Sequence, residues 1–409
     1  MQLVVFEDHG YRDLLPLVYT RATFNLRCGF DNLLDKIESA IGVTASAVFV
    51  RPTIAAALAE RQRRAVNQPA DSDDQLWING RLLLRRWLDL PPRAAVYQGD
   101  TLLVARIDDR LAARLSPDVL LDSARLRAAL SDCLPADISP NAAVLIDHPW
   151  QLVKENAAEI VRQFRAVPIQ VEGQVYSGAH LVNPSAIHVG AGAKIKPGAV
   201  LDAEEGPIFI DDEAILHPNV TIQGPCFIGR CCVVHPGARI RSGSSIHMAS
   251  KVAGEIEGTI FHGYSNKQHD GFLGHSYVGE WVNLGADTVN SDLKNTYGPV
   301  RVWINGRKVD SGEQFVGGFI GDHAKTGVNV ALPTGCVIGF AGNVMVGGYV
   351  PRFVPSFSWL TDAGREEYAP ARALAVAEKV VARRGRTFSE TERALFLSVA
   401  EEAKRHETR

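Results

Sequence analysis

The chain has 409 residues, 46% of them hydrophobic and 22% charged, with a formal net charge of -3. That length is enough for two domains, and that composition is that of a soluble globular protein. The near-neutral balance excludes nucleic acid or an anionic membrane as the main partner. The start, Met1-Gln2-Leu3-Val4-Val5-Phe6-Glu7-Asp8, turns acidic too soon for a signal peptide, and no apolar run is long enough to span a bilayer.

In chain order, Leu3 to Phe6, Ala47 to Val50, Leu76 to Asn79 and Thr101 to Ala105 read as buried strands. Asn32 to Ser39, Ile54 to Arg63 and Trp150 to Phe164 read as helices. Alternation of this kind predicts an α/β domain with a mainly parallel sheet over residues 1–170. The boundary falls within Ala166 to Gly173.

An aliphatic residue then recurs at every sixth position: Val189, Ile195 and Leu201, then, after three extra residues, Ile210, Leu216, Ile222, Ile228, Val234, Ile240, Ile246 and Val252. After two more extra residues the phase is read through Ile260, Asn266, Phe272, Val278 and Leu284, and again at Ile320, Thr326, Leu332, Ile338 and Val344. Neither the helix period nor the strand period accounts for a strict six, whereas a hexapeptide solenoid does. Turn residues such as Lys196-Pro197-Gly198 and His235-Pro236-Gly237 sit between the aliphatics. The solenoid domain is assigned to residues 171–355. Val289 to Gly318 carries no clean repeat; such an interruption commonly projects from one face and builds a site.

The remaining residues, 356–409, read as a helical tail split at Arg384-Gly385-Arg386. Ser389 followed by Glu392 has the spacing of a capping box opening the second helix, and the tail ends in solvated charge. None of the six cysteines forms a Cys-x-x-Cys pair, and all read as reduced thiols in a cytoplasmic protein. His217 and His235, each directly after an inward aliphatic, are expected to stack about 4.8 Å apart on an outer face.

The repeat resembles the left-handed parallel β-helix of hexapeptide acyltransferases. The whole chain resembles the GlmU-like proteins of the alternate bacterial type. The carriers are Leu14-Leu15-Pro16-Leu17-Val18-Tyr19-Thr20-Arg21, Asn25-Leu26-Arg27-Cys28-Gly29, Asn79-Gly80-Arg81-Leu82-Leu83, His148-Pro149-Trp150, Lys294-Asn295-Thr296-Tyr297-Gly298, Ile320-Gly321-Asp322-His323-Ala324-Lys325 and Pro355-Ser356-Phe357-Ser358-Trp359. The resemblance implies a sugar-1-phosphate nucleotidyltransferase domain fused to an acetyl-CoA-dependent acyltransferase β-helix, assembled as a homotrimer and working on sugar phosphates and nucleotides.

It further implies His269 as the base on the sugar amine, with Asn283 at the matching distance beyond it. Ala286 and Lys325 would meet the acyl-CoA. Arg241, Lys267, Asp270, Lys294, Asn295 and Tyr297 would hold the acceptor. An ammonium cannot attack a thioester, so a base must take a proton as the nitrogen attacks, and an imidazole does this at neutral pH. Asp270 or a carbonyl is the candidate for fixing its tautomer. Glu257 stands near the place of the family's phosphate-binding Lys, and Phe272 stands where Tyr is usual. These departures put glucosamine-1-phosphate in doubt as the acceptor.

In the first domain Arg12, Arg21, Arg27, Lys36, Asn79 and Arg81 are the candidates for gripping a nucleotide, with Asp8 or Asp13 as ligands of Mg2+ if that domain turns over. The usual Gly-rich phosphate loop is replaced by Phe6-Glu7-Asp8-His9-Gly10-Tyr11-Arg12-Asp13, and the usual Gly-Asp metal pair by Gly80-Arg81. Three rivals remain: nucleotidyl transfer alone with the solenoid as a trimerisation scaffold, a non-catalytic sugar-nucleotide-binding protein, and a zinc site between chains built from His235, His262, His269 and His275.

Overall fold

The computed structural model describes residues 1–68, 72–87, 89–139 and 141–407; the last two positions of the predicted tail lie outside the described residues. The chain divides into two compact units. The first holds Met1–Leu26, Asp31–His148 and Ser389–Ser398; the second holds Arg27–Phe30, Pro149–Phe388 and the chain from Val399 on.

The first unit is built on a seven-stranded sheet in the spatial order Leu134–Pro135, Ala94–Gln98, Thr101–Ile107, Gln75–Asn79, Gln2–Phe6, Ala47–Phe49, Ala65–Val66. Gln2–Phe6 runs parallel to both neighbours, and Thr101–Ile107 runs antiparallel to both of its own. The central strands are continuous apolar runs because both faces are covered: Val4 and Val5 are each fully buried, in separate core clusters. Helix Leu33–Ile41 starts where the Asn32 side chain accepts from the Asp35 N–H, and stops at Gly42 in the left-handed region. Helix Pro52–Arg61 opens on a proline, whose missing N–H has no helical partner to lose.

The second unit is the solenoid. Short parallel strands stack into three faces, as fits a left-handed β-helix. Val175, Ile195, Leu216, Val234 and Val252 stack on one face; Leu181, Leu201, Ile222, Ile240 and Ile256 on the second; Val189, Ile210, Ile228 and Ile246 on the third. The predicted inward aliphatics from Val189 to Val252 are at most 1% exposed.

Beyond Val252 the predicted phase is corrected by one residue. Ile246 pairs with Phe261, Val252 with Lys267 and Ile256 with Leu273, so Phe261, Lys267 and Leu273 point inward where Ile260, Asn266 and Phe272 were expected. The cause is a shortened corner after Val252, where Ile256 takes the next inward place. Phase returns at Val278, which pairs with Phe261 and Ile320.

The interrupting segment keeps Val289–Asn290 in the stack, then forms an antiparallel hairpin, Arg301–Ile304 with Arg307–Asp310. The stack also runs past the expected end: Ser358–Thr361 pairs with Asn343–Met345 and with Gly364–Glu367. Helices Pro370–Ala382 and Glu390–Glu407 follow. The Ser389 N–H donates to Glu392 (3.0 Å) and the Glu392 N–H to the Ser389 hydroxyl (3.2 Å), which is the predicted capping box. Helix Pro149–Phe164 belongs to the second unit, where Asn156 accepts from the Gly29 N–H (2.6 Å) and donates to the Gly243 carbonyl (2.7 Å).

Candidate functional site

Lys267 occupies an inward position on the first face and is fully buried. Its ammonium donates to the carbonyls of His269 (2.9 Å) and Asp270 (3.0 Å). Burial pushes it down to about 8, against the opposing pull of the Asp270 and Asp287 carboxylates. The side chain therefore fixes the turn that carries His269 and does not face an acceptor, correcting the substrate-contact role expected of it.

The turn opens into a groove of about 390 Å³ lined by His235, Gln268, His269, Asp270, Ala286 and Asp287, among others. His269 and Asp270 are exposed. The His269 ring makes no hydrogen bond to a protein group among the described residues, so nothing here fixes its tautomer. Both carbonyls of the turn are committed to Lys267. His235 and His217 stack with ring centroids 5.8 Å apart, and burial, chiefly, pushes both imidazoles down. Among the described residues no group of three or more His, Cys, Asp or Glu side chains could hold a metal ion.

Asn283 is not in that groove. It lies on the flat first face, in register with Asn266 and Lys325, and its amide oxygen is 3.5 Å from Asn266 Nδ2. Lys325 is half-buried, donates to the His323 carbonyl (2.9 Å), and is pushed down to about 8 by burial. Arg241, on the second face, is paired with Glu257 (2.5 Å) and Glu255 (3.4 Å). Glu257 is thereby neutralised. Lys294, Asn295 and Tyr297 lie on the inserted segment, where the Tyr297 carbonyl accepts from Gln314 (2.9 Å).

In the first unit two of the residues expected to grip a nucleotide, Asn79 and Arg81, are bound to each other and to Asp8. Arg81 is 2% exposed and donates to both Asp8 oxygens (2.7 Å each), to Asp147 (2.7 Å) and to the Ile146 carbonyl (3.2 Å). Asn79 donates to Asp8 (2.9 Å) and accepts from the Arg81 N–H (3.0 Å). Burial alone would push the Asp8 carboxyl up; Arg81 and Asn79 outweigh it and hold it below the usual range. A Cβ on Gly10 would sit 2.3 Å from the Arg81 guanidinium carbon, so the loop that replaces the usual phosphate loop closes onto the arginine.

Arg21 is buried and donates to the Leu17 carbonyl (2.6 Å), and Lys36 is buried on its helix. Arg12 is exposed beside the Tyr11 ring, and Asp13 is half-buried. Arg27 belongs to the second unit, where its N–H donates to the Tyr277 hydroxyl (2.9 Å). The inward place of Lys267 was missed because the phase was carried one residue too early. A second imidazole, His275, with its Nδ1 2.8 Å from Asp292, was considered only as a zinc ligand.

Residues 3–168 match a protein family described as sugar nucleotidyl transferase. A bifunctional sugar-1-phosphate nucleotidylyltransferase/acetyltransferase of Sulfurisphaera tokodaii is 33% identical over 153 residues, 37% of this chain and 38% of that protein. The bifunctional protein GlmU of Methanococcus maripaludis is 36% identical over 145 residues, 35% of this chain and 34% of the relative. That of Methanococcus aeolicus is 38% identical over 85 residues, 21% of this chain and 20% of the relative. The chain thus spans at most 38% of the length of these relatives. No described helix is long and apolar enough to cross a membrane. Residues 3–168 therefore match a sugar nucleotidyl transferase family, and part of the chain is similar to bifunctional nucleotidylyltransferase/acetyltransferase and GlmU proteins.

Proposed function

We propose that the solenoid transfers an acyl group, acetyl from acetyl-CoA, to the amine of an amino-sugar phosphate in the His269 groove, and that the first unit binds or uridylylates a sugar phosphate. The names of the bifunctional relatives support this pairing. The observation that carries it is the His269 turn, pinned from below by Lys267 and facing Ala286 across an open groove.

The acyl thioester supplies an activated carbonyl. The chain's part is to hold the acceptor amine and take its proton. His269 is exposed and unencumbered, so either ring nitrogen is available as the base. The proton leaves the attacking nitrogen for the imidazole and passes to the departing thiolate. Asp270 and Asp287 line the same groove. The Ala286 backbone is the proposed contact for the thioester carbonyl. The same reading makes the protein a cytoplasmic homotrimer.

Mg2+ does not fit Asp8, the buried one of the two carboxylates proposed to bind it. Both Asp8 oxygens accept from Arg81, and one also from Asn79. That commitment favours a second reading for the first unit alone, sugar-nucleotide binding without turnover.

The test follows two products separately. The chain is incubated with coenzyme A thioesters, UTP, Mg2+ and a panel of sugar phosphates, and thiol and pyrophosphate release are recorded. His269→Ala is expected to lower thiol release by about 10²–10⁴-fold and to leave pyrophosphate release unchanged. Equal thiol release from variant and parent would remove His269 from the chemistry, and pyrophosphate without thiol would leave only the nucleotidyl half.

A further inference from the structure

The corner between the second and third faces carries Gly243 (φ 74°), Gly258 (φ 51°) and then His275 (φ 45°) on successive coils. The column is tied by the Gly258 N–H to the Ser242 carbonyl (3.0 Å) and the His275 N–H to the Glu257 carbonyl (2.9 Å). Glycine takes this left-handed backbone freely, whereas a residue with a Cβ is strained there.

Asp292 is the next residue up the column, and its Oδ2 lies 2.8 Å from His275 Nδ1. A carboxylate so placed orients the ring and leaves Nε2 free for another partner. In front of the dyad is a cavity of about 400 Å³ lined by His275, Glu257, Trp150, Lys154, Glu313 and Phe315, among others. One wall comes from the segment that interrupts the repeat. Leu293 pairs with Phe315, and the Phe315 ring, 48% exposed, stands 5.4 Å from the imidazole.

The charges choose the ligand. Glu257 is paired with Arg241 (2.5 Å) and Glu313 with Lys154 (2.6 Å). Asp292 then brings to the site a carboxylate with no Lys or Arg partner among the described residues, which disfavours a phosphate. An exposed aromatic face beside hydrogen-bonding groups suits a ring with apolar C–H faces and hydroxyl edges, and the volume is at the small end of small-molecule sites.

We infer that this corner is a second ligand site, separate from the His269 groove, taking a pyranose that carries no phosphate, neutral or amine-bearing. Phe315 lies against the face of the ring, and His275 Nε2 and Glu257 meet its hydroxyls. The inference does not depend on acyl transfer at His269.

Saturation-transfer NMR on the full chain with glucosamine, N-acetylglucosamine and their phosphates tests it. The unphosphorylated sugars are expected to bind at this corner, whereas the phosphates, which the His269 groove and the first unit are proposed to take, are expected to keep their signal in both corner variants. His275→Gly restores the residue type of the preceding coils and is expected to fold, and Phe315→Ala lies outside the repeat. Each is expected to weaken sugar binding by about tenfold or more, while His269→Ala leaves it unchanged. No transfer from any sugar to the parent chain would overturn the site, as would equal transfer in both corner variants. Loss of binding in His269→Ala would assign the sugar to the first groove instead.

Discussion

Lys267 shows how a single side chain can serve the solenoid and its groove together. Its stem fills an inward place between Val252 and the next coil, and its ammonium ties the two carbonyls of the His269 turn. That arrangement has a signature in pH. Burial holds the folded-state value at about 8, whereas an unfolded lysine titrates near about 10.4. Below both values each state is protonated and the folded chain bears the full cost of the buried charge. Between them the folded chain loses its proton first, so stability rises with pH across that window, by on the order of 3 kcal/mol if the whole shift is realised. Lys325, also pushed to about 8, adds to the same rise. Urea midpoints measured from below to above this window should climb in the parent chain and climb distinctly less in Lys267→Met. The same variant, with its turn untethered, should release thiol about tenfold more slowly. An unchanged climb would mean that the ammonium is not held inside.

At the scale of elements, what was legible in the sequence was whatever repeats. From Val189 to Val252 each inward residue of the series is aliphatic and every step but that from Leu201 to Ile210 is six, so side-chain chemistry and period agree. Agreement fails where the corner after Val252 is short. Ile260 and Phe272 are as apolar as Phe261 and Leu273, and a lysine at 267 reads as outward until the pairing of Val252 with Lys267 is known. The Asp8–Arg81 pair and the His275–Asp292 dyad were illegible as contacts for another reason: each joins residues brought together only by tertiary structure. The capping box was legible because it is local. Ser389 caps helix Glu390–Glu407, exchanging hydrogen bonds with Glu392 and bonding Glu60. Ser389→Ala should cost about 1 kcal/mol, read as a lowered urea midpoint with unchanged slope, and Ser389→Thr, which keeps the hydroxyl, should recover most of it.

At the scale of the molecule, each unit has its own core, and the proposed chemistry makes different demands on each. The His269 groove is open on a single chain: His269, Asp270 and Asp287 are all exposed. A thioester bound there would keep water at its carbonyl unless a neighbouring copy closed the groove, and closed cyclic assembly is the common way a flat-faced prism does this. The first unit makes no such demand, since its sheet is covered on both faces by its own chain. The proposed homotrimer therefore predicts different concentration dependences for the two products. Sedimentation equilibrium should give three times the chain mass of 44.5 kDa at working concentration. On dilution towards the monomer, thiol release per chain should fall with the trimer fraction, while nucleotide binding or pyrophosphate release per chain stays level. Thiol release that keeps its value per chain in a sample sedimenting as monomer would show that one copy completes the groove alone, and would leave the trimer without a catalytic reason.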